Sequence, residues 1–264
     1  MKPDISPLAE PFEFTGPSNP VLQVILIHGF TASPTEVKPV GEYLFKKSHE
    51  KFVIRSILLP GHGMTGPDGY KYMDKVTFKD WKDHVEKEII SFTSTYDCPV
   101  VIIGLSMGAV LTIQFLQSDI GQQEKYLAGI LLSPALVLSS SIFPLVKYLK
   151  YIKKYHYKGQ ESELFFQQHN LFSYPIRSLK ATDELRKLLN ETNPIVDKVT
   201  QPILSFLGEQ DRTVNVQKTI KVLQKNPNIK TVLLPQMSHI FTVHPDIEPV
   251  FQEMYEWIIS LLEK

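Results

Sequence analysis

Six short, nearly continuous apolar runs punctuate the chain: VLQVILI (21–27), FVIRSILL (52–59), PVVIIG (99–104), LAGILL (127–132), PILSFLG (202–208) and KTVLLP (230–235). Each is rich in Val, Ile or Leu and ends near Gly, Pro or Ser. Runs that are apolar at consecutive positions suit strands covered on both faces, the mark of a parallel sheet. Segments of helical period separate them. Thr77 and Asp80 form a capping-box pair, and Trp81, Val85, Ile89 and Phe92 follow at helical spacing. Near the C-terminus Ile247, Phe251, Met254, Ile258 and Leu261 repeat that period. Strands alternating with such helices predict an α/β fold, a mostly parallel central sheet flanked by helices.

One interval breaks the rhythm. About seventy residues separate the run ending at Leu132 from the one starting at Pro202, far more than a crossover needs. They carry helical patterning over Ile142–Tyr157 and Thr182–Asn190 and no clear strand. We therefore expect a single domain over residues 1–264 with a helical cap, or lid, inserted at about 135–197. No internal repeat, low-complexity tract or second core is visible.

Composition narrows the function classes. Lys plus Arg and Asp plus Glu are 28 each, so nothing points to nucleic acid or a strongly charged substrate. The single cysteine, Cys98, excludes an internal disulfide, offers no metal site and reads as a small buried side chain. The N-terminal stretch MKPDISPLAEPFEF lacks the apolar centre of a signal peptide, and no apolar run reaches the roughly 18 residues of a membrane span. The expected location is cytoplasmic.

The stretch GLSMG (104–108) follows the run ending at Ile103 and precedes AVLTIQFL (109–116), which is apolar almost all round. Strand, Gly-x-Ser-x-Gly and helix in that order form a nucleophile elbow, with Gly104 and Gly108 small enough to pass a strained serine. Ser106 is thus the candidate nucleophile; a helix-capping serine in a glycine-rich turn is the plain alternative. A serine hydroxyl needs a base and an oxyanion site. Among eight histidines His239 lies just past the run ending at Pro235, at the edge where sites of open α/β sheets collect. His244 precedes Pro245 and opens the last helix instead. Asp211, after the run PILSFLG, is the candidate orienting acid, with Glu209 as a weaker rival; Asp183 and Asp197 belong to the insertion or its exit. The order Ser106, Asp211, His239 is that of α/β-hydrolases. The N–H of Met107 is the first oxyanion donor, and the turn of IHGF (27–30) could bring the N–H of Phe30 to the same point. His28 and His62 read as structural, since no ligand cluster surrounds them. No metal or cofactor is expected.

HGFT (28–31), PGHG (60–63), TFKDW (77–81), GLSMG (104–108), GEQDRTV (208–214) and SHI (238–240) together give the chain a family resemblance. From about Val21 onward it resembles bacterial carboxylesterases and monoacylglycerol lipases of the α/β-hydrolase fold. The resemblance implies Ser106 as nucleophile, Asp211 as acid, His239 as base, Phe30 as second oxyanion donor, and the insertion as a lid over an acyl pocket. Ala109 departs from the second glycine that many members carry there. A small-molecule ester with an apolar acyl chain is the implied substrate. Thioesterase, peptidase and carbon–carbon hydrolase chemistry could use the same residues, and a non-catalytic binding protein would normally lack one of them. In the insertion, Leu145, Leu149 and Ile152 would share a helical face opposite Lys147, Lys150, Lys154 and Lys158. The simpler expectation is that the apolar face lines the acyl pocket; the other is transient contact with a lipid surface.

Overall fold

The computed structural model describes residues 4–66 and 68–263. Its elements follow in chain order: β1 (Glu13–Phe14), β2 (Leu22–Ile27), α1 (Lys38–Lys47), β3 (Phe52–Ile57), α2 (Phe78–Thr93), β4 (Val100–Leu105), α3 (Met107–Gln117) and β5 (Tyr126–Leu132). The insertion then contributes α4 (Val146–Leu149), β6 (Tyr155–Tyr157), α5 (Gln160–Gln168), β7 (Ile176–Ser178) and α6 (Leu179–Thr192). The chain closes with β8 (Ile203–Gly208), α7 (Val216–Leu223), β9 (Ile229–Leu234) and α8 (Glu248–Leu262).

The seven-stranded sheet runs β1-β3-β2-β4-β5-β8-β9. All neighbours are parallel except the short outer strand β1. All six apolar runs become strands of this sheet. In β2, Ile25 and Ile27 pack beneath α2, α3 and α6, whereas Leu22, Val24 and Leu26 pack against α1 and α8. Burying such a side chain contributes about 1.5–3 kcal/mol, so both layers are held by the same strands. The capping box forms as expected: Thr77 N–H donates to Asp80 Oδ2 at 2.7 Å, and Asp80 N–H to Thr77 Oγ1 at 3.3 Å. Residues Met107 to Leu116 of α3 are all buried, as an all-apolar helix requires.

Register aligns the carboxyl ends. Ile27 pairs with Ile57 and Gly104, Leu132 with Phe206, and Gly208 with Leu234. The loops leaving β2, β4, β8 and β9 therefore converge on one edge.

The insertion differs from its expectation. Helix α4 stops at Leu149, and β6 pairs antiparallel with β7 in a two-stranded hairpin. The amphipathic pattern over 142–157 is not one helix: Lys150 is drawn to the buried Asp183 carboxylate at 2.6 Å. Beyond it Tyr155 donates its hydroxyl to Asp74 Oδ2 at 2.7 Å, with the backbone extended in the ladder. Leu149 borders the cavity described below, while Leu145 and Ile152 are exposed. Cys98 is half-buried rather than buried.

Candidate active site

Between β4 and α3 the backbone of Ser106 takes φ 57° and ψ −111°. An L-residue there is strained and must be held by its surroundings. Ser106 N–H donates to the Leu132 carbonyl at 2.8 Å, and the Ser106 carbonyl accepts from Ala135 N–H at 3.3 Å. Two glycines make the turn sterically feasible. A Cβ on Gly104 would lie 2.2 Å from the Gly108 carbonyl oxygen, and one on Gly108 would lie 2.1 Å from that of Ile27. Their absence lets α3 approach the end of β2, so the turn after β2 sits beside the elbow.

His239, in the loop after β9, faces Ser106 with Nε2 3.0 Å from Oγ. Its Nδ1 lies 2.6 Å from Asp211 Oδ2. With the proton on Nδ1 donated to the carboxylate, Nε2 carries the lone pair that can accept the serine proton. The other oxygen, Asp211 Oδ1, accepts from Thr213 N–H at 2.7 Å and Val214 N–H at 2.9 Å. Glu209 is exposed, and among the described residues it makes no hydrogen bond to His239. His244 lies outside the site, its Nδ1 accepting from Asp246 N–H at 3.2 Å. Asp183 is spent on Lys150 and Arg186 in the insertion.

The turn after β2 is organised by acceptors placed one after another. Gly29 N–H donates to Glu36 Oε2 at 3.1 Å, and Thr31 N–H to His62 Nε2 at 3.1 Å. Among the described residues neither Phe30 N–H nor Met107 N–H has an acceptor, leaving both amides uncommitted. His62 Nδ1 in turn reaches the Pro60 carbonyl at 3.1 Å, and His28 bridges Leu59 N–H (3.1 Å) and the Gly29 carbonyl (2.8 Å). A ring that accepts through Nε2 is neutral. Burial agrees: it drives His62 down to about 4 and His28 well below its ordinary value. Both histidines pin loops.

A cavity of about 750 Å³ opens over Ser106, His239 and Phe30. Leu138, Ile142, Phe143, Val146, Leu149 and Leu185 give it an apolar wall. Two polar contributors escape sequence reasoning. Glu36 lies at the cavity with its carboxyl pushed up to about 7, chiefly by burial. Ser133 donates its hydroxyl to the His239 carbonyl at 2.8 Å and so steadies the histidine loop. Glu36 reads in sequence as an ordinary first-turn acid, and Ser133 as a strand end.

The alpha/beta hydrolase family model matches residues 24–248, which include every residue placed at the site above. A thermostable monoacylglycerol lipase of Bacillus sp. (strain H-257) is 26% identical over 258 residues, 94% of each chain. A carboxylesterase of Bacillus subtilis (strain 168) is 21% identical, covering 96% of this chain and 97% of its own. Among solved structures, one described with the metagenome-derived lipolytic enzymes LipS and LipT superposes with a TM-score of 0.81 at 19% identity, covering 97% of this chain and all of that one. The monoacylglycerol lipase of Paleococcus ferrophilus superposes at 0.75 with 16% identity, covering 96% and 98%. These structures share the fold: a mostly parallel sheet with helices on both faces. By its match from β2 to the start of α8, the chain belongs to the alpha/beta hydrolase family.

Proposed function

We propose that the protein is a serine hydrolase of carboxylic esters with apolar acyl chains, of the carboxylesterase or monoacylglycerol lipase type. The observation that carries this reading is the hydrogen-bonded series Asp211–His239–Ser106, at 2.6 and 3.0 Å, opening on an apolar cavity. The names of the two curated relatives support the choice of ester over amide or thioester.

In this mechanism His239 Nε2 takes the Ser106 proton as Oγ attacks the ester carbonyl. The imidazolium that forms is stabilised by Asp211, whose carboxylate is held by the Thr213 and Val214 amides. Negative charge collects on the former carbonyl oxygen, where the free N–H groups of Phe30 and Met107 stabilise it as an oxyanion hole. His239 then gives the proton to the leaving alkoxide, and the alcohol departs. Water, deprotonated by His239, attacks the acyl-serine, and His239 returns the proton to Ser106 Oγ as the acid leaves. Each step is completed by these side chains and water. Residues 135–197 form a cap whose apolar wall receives the acyl chain.

Contact of that cap with a lipid surface is supported by one observation. Tyr148, Tyr151 and Ile152 are 60%, 82% and 84% exposed, beside Lys147, Lys153 and Lys154. Apolar side chains ringed by lysines suit an anionic interface.

The test is intact-mass spectrometry after exposure to a fluorophosphonate, in detergent to favour access, with Ser106→Ala as control. One adduct on the parent and none on the variant is expected. No adduct on folded parent protein, or an adduct that persists in the variant, would overturn the assignment. A panel of p-nitrophenyl esters against acyl-thioesters and aminoacyl amides then tests the ester preference.

A further inference from the structure

The hairpin of β6 and β7 has two unlike faces. On one, Tyr155 and Ser178 pair in register and both bond the Asp74 carboxylate, so their polar atoms are satisfied. On the other, His156 pairs with Arg177, and Lys158, two residues on, falls on the same face by the strand period. All three basic residues border the cavity that holds Ser106.

Neither Arg177 nor Lys158 has a carboxylate partner. Among the described residues no carboxylate lies within 4.0 Å of Lys158 Nζ or the Arg177 guanidinium. Arg177 Nε is buried with no hydrogen-bond partner. Lys158 spends two of its three donors on Thr31 Oγ1 (2.6 Å) and Ser173 Oγ (2.7 Å). An arginine kept for packing alone would hand its guanidinium to a carboxylate or carbonyl, because an unmet buried donor costs about 1–3 kcal/mol and a charged one more. Titration carries the same strain. Lys158 is pushed down to about 7, by burial first and then by the Arg177 charge, with Glu36 opposing. Burial likewise lowers Arg177 and His156. Perturbed groups lining a cleft are functional candidates, here beside the unmet Arg177 donor.

We propose that this basic face is an anion subsite, with Arg177 and Lys158 selecting esters that carry a second, free carboxylate away from the scissile bond. The proposal rests on the ester-hydrolase reading and names its substrate class. A planar guanidinium offers paired donors that match a carboxylate. With Glu36 holding its proton up to about pH 7, Glu161 is the carboxylate that offsets the two basic groups along the cavity, so a single negative charge balances the site better than a doubly charged phosphate. The apolar wall takes the methylene chain, and the basic hairpin takes its charged end.

The experiment measures binding without turnover. Ser106→Ala protein is titrated calorimetrically with monoethyl succinate, adipate and suberate, each against its diethyl ester. A carboxylate on the alcohol side is tested with 6-acetoxyhexanoate against its methyl ester. At least one anionic member should bind about tenfold or more tighter than its neutral twin, the gain from one charged hydrogen-bonded contact. Arg177→Gln, added to Ser106→Ala, should bring that ratio to within about twofold of unity, and Arg177→Lys should restore part of it. Equal binding of every pair, or a ratio unmoved by Arg177→Gln, overturns the proposal. If Arg177→Gln does not fold, the ratio in Ser106→Ala alone decides. Because no bond is cleaved, the result stands apart from whether the parent hydrolyses esters.

Discussion

Replacing Asp211 by Asn tests the proposed mechanism at its least visible step. The substitution is nearly isosteric, so the loop after β8 should keep its shape. Its electronic effect depends on which end of the amide faces His239. Oδ1 of Asp211 accepts from two backbone amides, Thr213 and Val214, at 2.7 and 2.9 Å. An asparagine that kept its oxygen there would turn its NH2 toward His239 Nδ1. Flipping the amide to avoid this would aim two N–H donors at the NH2 group and forfeit both bonds, a cost of roughly 2–6 kcal/mol. The unflipped form therefore dominates. Facing a donor, His239 must accept at Nδ1 and carry its proton on Nε2, so it cannot take the proton of Ser106. Loss of the correct tautomer in a comparable triad costs about 10⁴ in kcat, roughly 5 kcal/mol at about 1.4 kcal/mol per decade. The assay is steady-state hydrolysis of p-nitrophenyl butyrate beside urea unfolding, with Glu209→Gln for comparison. A fall of three to four decades with unchanged unfolding is expected. A nearly silent Asp211→Asn beside a crippled Glu209→Gln would refute both the choice of acid and the tautomer argument.

Other perturbations read different parts of the design. Glu36 binds its proton up to about pH 7 when folded against an ordinary value of 4.5, so the folded state holds more protons between those limits. Its contribution to stability is therefore lost as pH rises through that window. Glu36→Gln, which keeps an oxygen for Gly29 N–H, should flatten this decline and exceed the parent above pH 7 by up to roughly 3 kcal/mol. Equal Tm differences at pH 4.5 and pH 8 would refute it. Gly108→Ala puts a methyl 2.1 Å from the Ile27 carbonyl oxygen, with backbone on both sides that cannot yield cheaply. A loss of roughly 3–5 kcal/mol and of fluorophosphonate labelling should follow, and an unchanged Tm would contradict it. Exchanging the exposed Tyr151 and Ile152 for serine should leave Tm unchanged but weaken co-sedimentation with phosphatidylglycerol vesicles several-fold. A parent that fails to sediment with those vesicles would rule out the lipid contact.

Legibility in the sequence follows the range over which each pattern acts. The six sheet strands announce themselves because burial on both faces needs apolar residues at consecutive positions. Ser106, Asp211 and His239 could be picked out because each follows its own strand, and parallel register carries those strand ends to one edge. The hairpin at 155–157 and 176–178 is invisible by the same logic. Three residues cannot display a period, and the carboxylate that Tyr155 and Ser178 share, Asp74, lies some eighty residues upstream of β6. Leu145, Leu149 and Ile152 satisfy a helical template, yet only Leu149 reaches the cavity: Leu145 precedes α4, and the chain leaves that helix at Lys150, before Ile152. Ser133 is found only in three dimensions, where its hydroxyl meets the carbonyl of His239. Net neutrality misleads in a related way: 28 charges of each sign say nothing of where two cations lack carboxylate partners.

These contacts also divide the walls of the cavity by how firmly they are held. Thr31, itself at φ 67°, is gripped from the sheet side by His62 and from the insertion by Lys158, Ser173 and the Tyr174 amide. The Tyr174 hydroxyl adds bonds to Met64 N–H and the Gly61 carbonyl. Displacing the hairpin edge would break this set together, at about 1 kcal/mol net for each bond, and would distort the turn bearing Phe30 N–H. That edge is therefore the more firmly held wall of the cavity. Helix α5 is held differently. It has no buried residue, Gly159 precedes it at φ 98°, and Asn170 follows it at φ 52°. Glu161, Ser162, Phe165 and Phe166 are its contribution to the cavity. A wall with few buried contacts opens at lower free-energy cost than the hairpin edge.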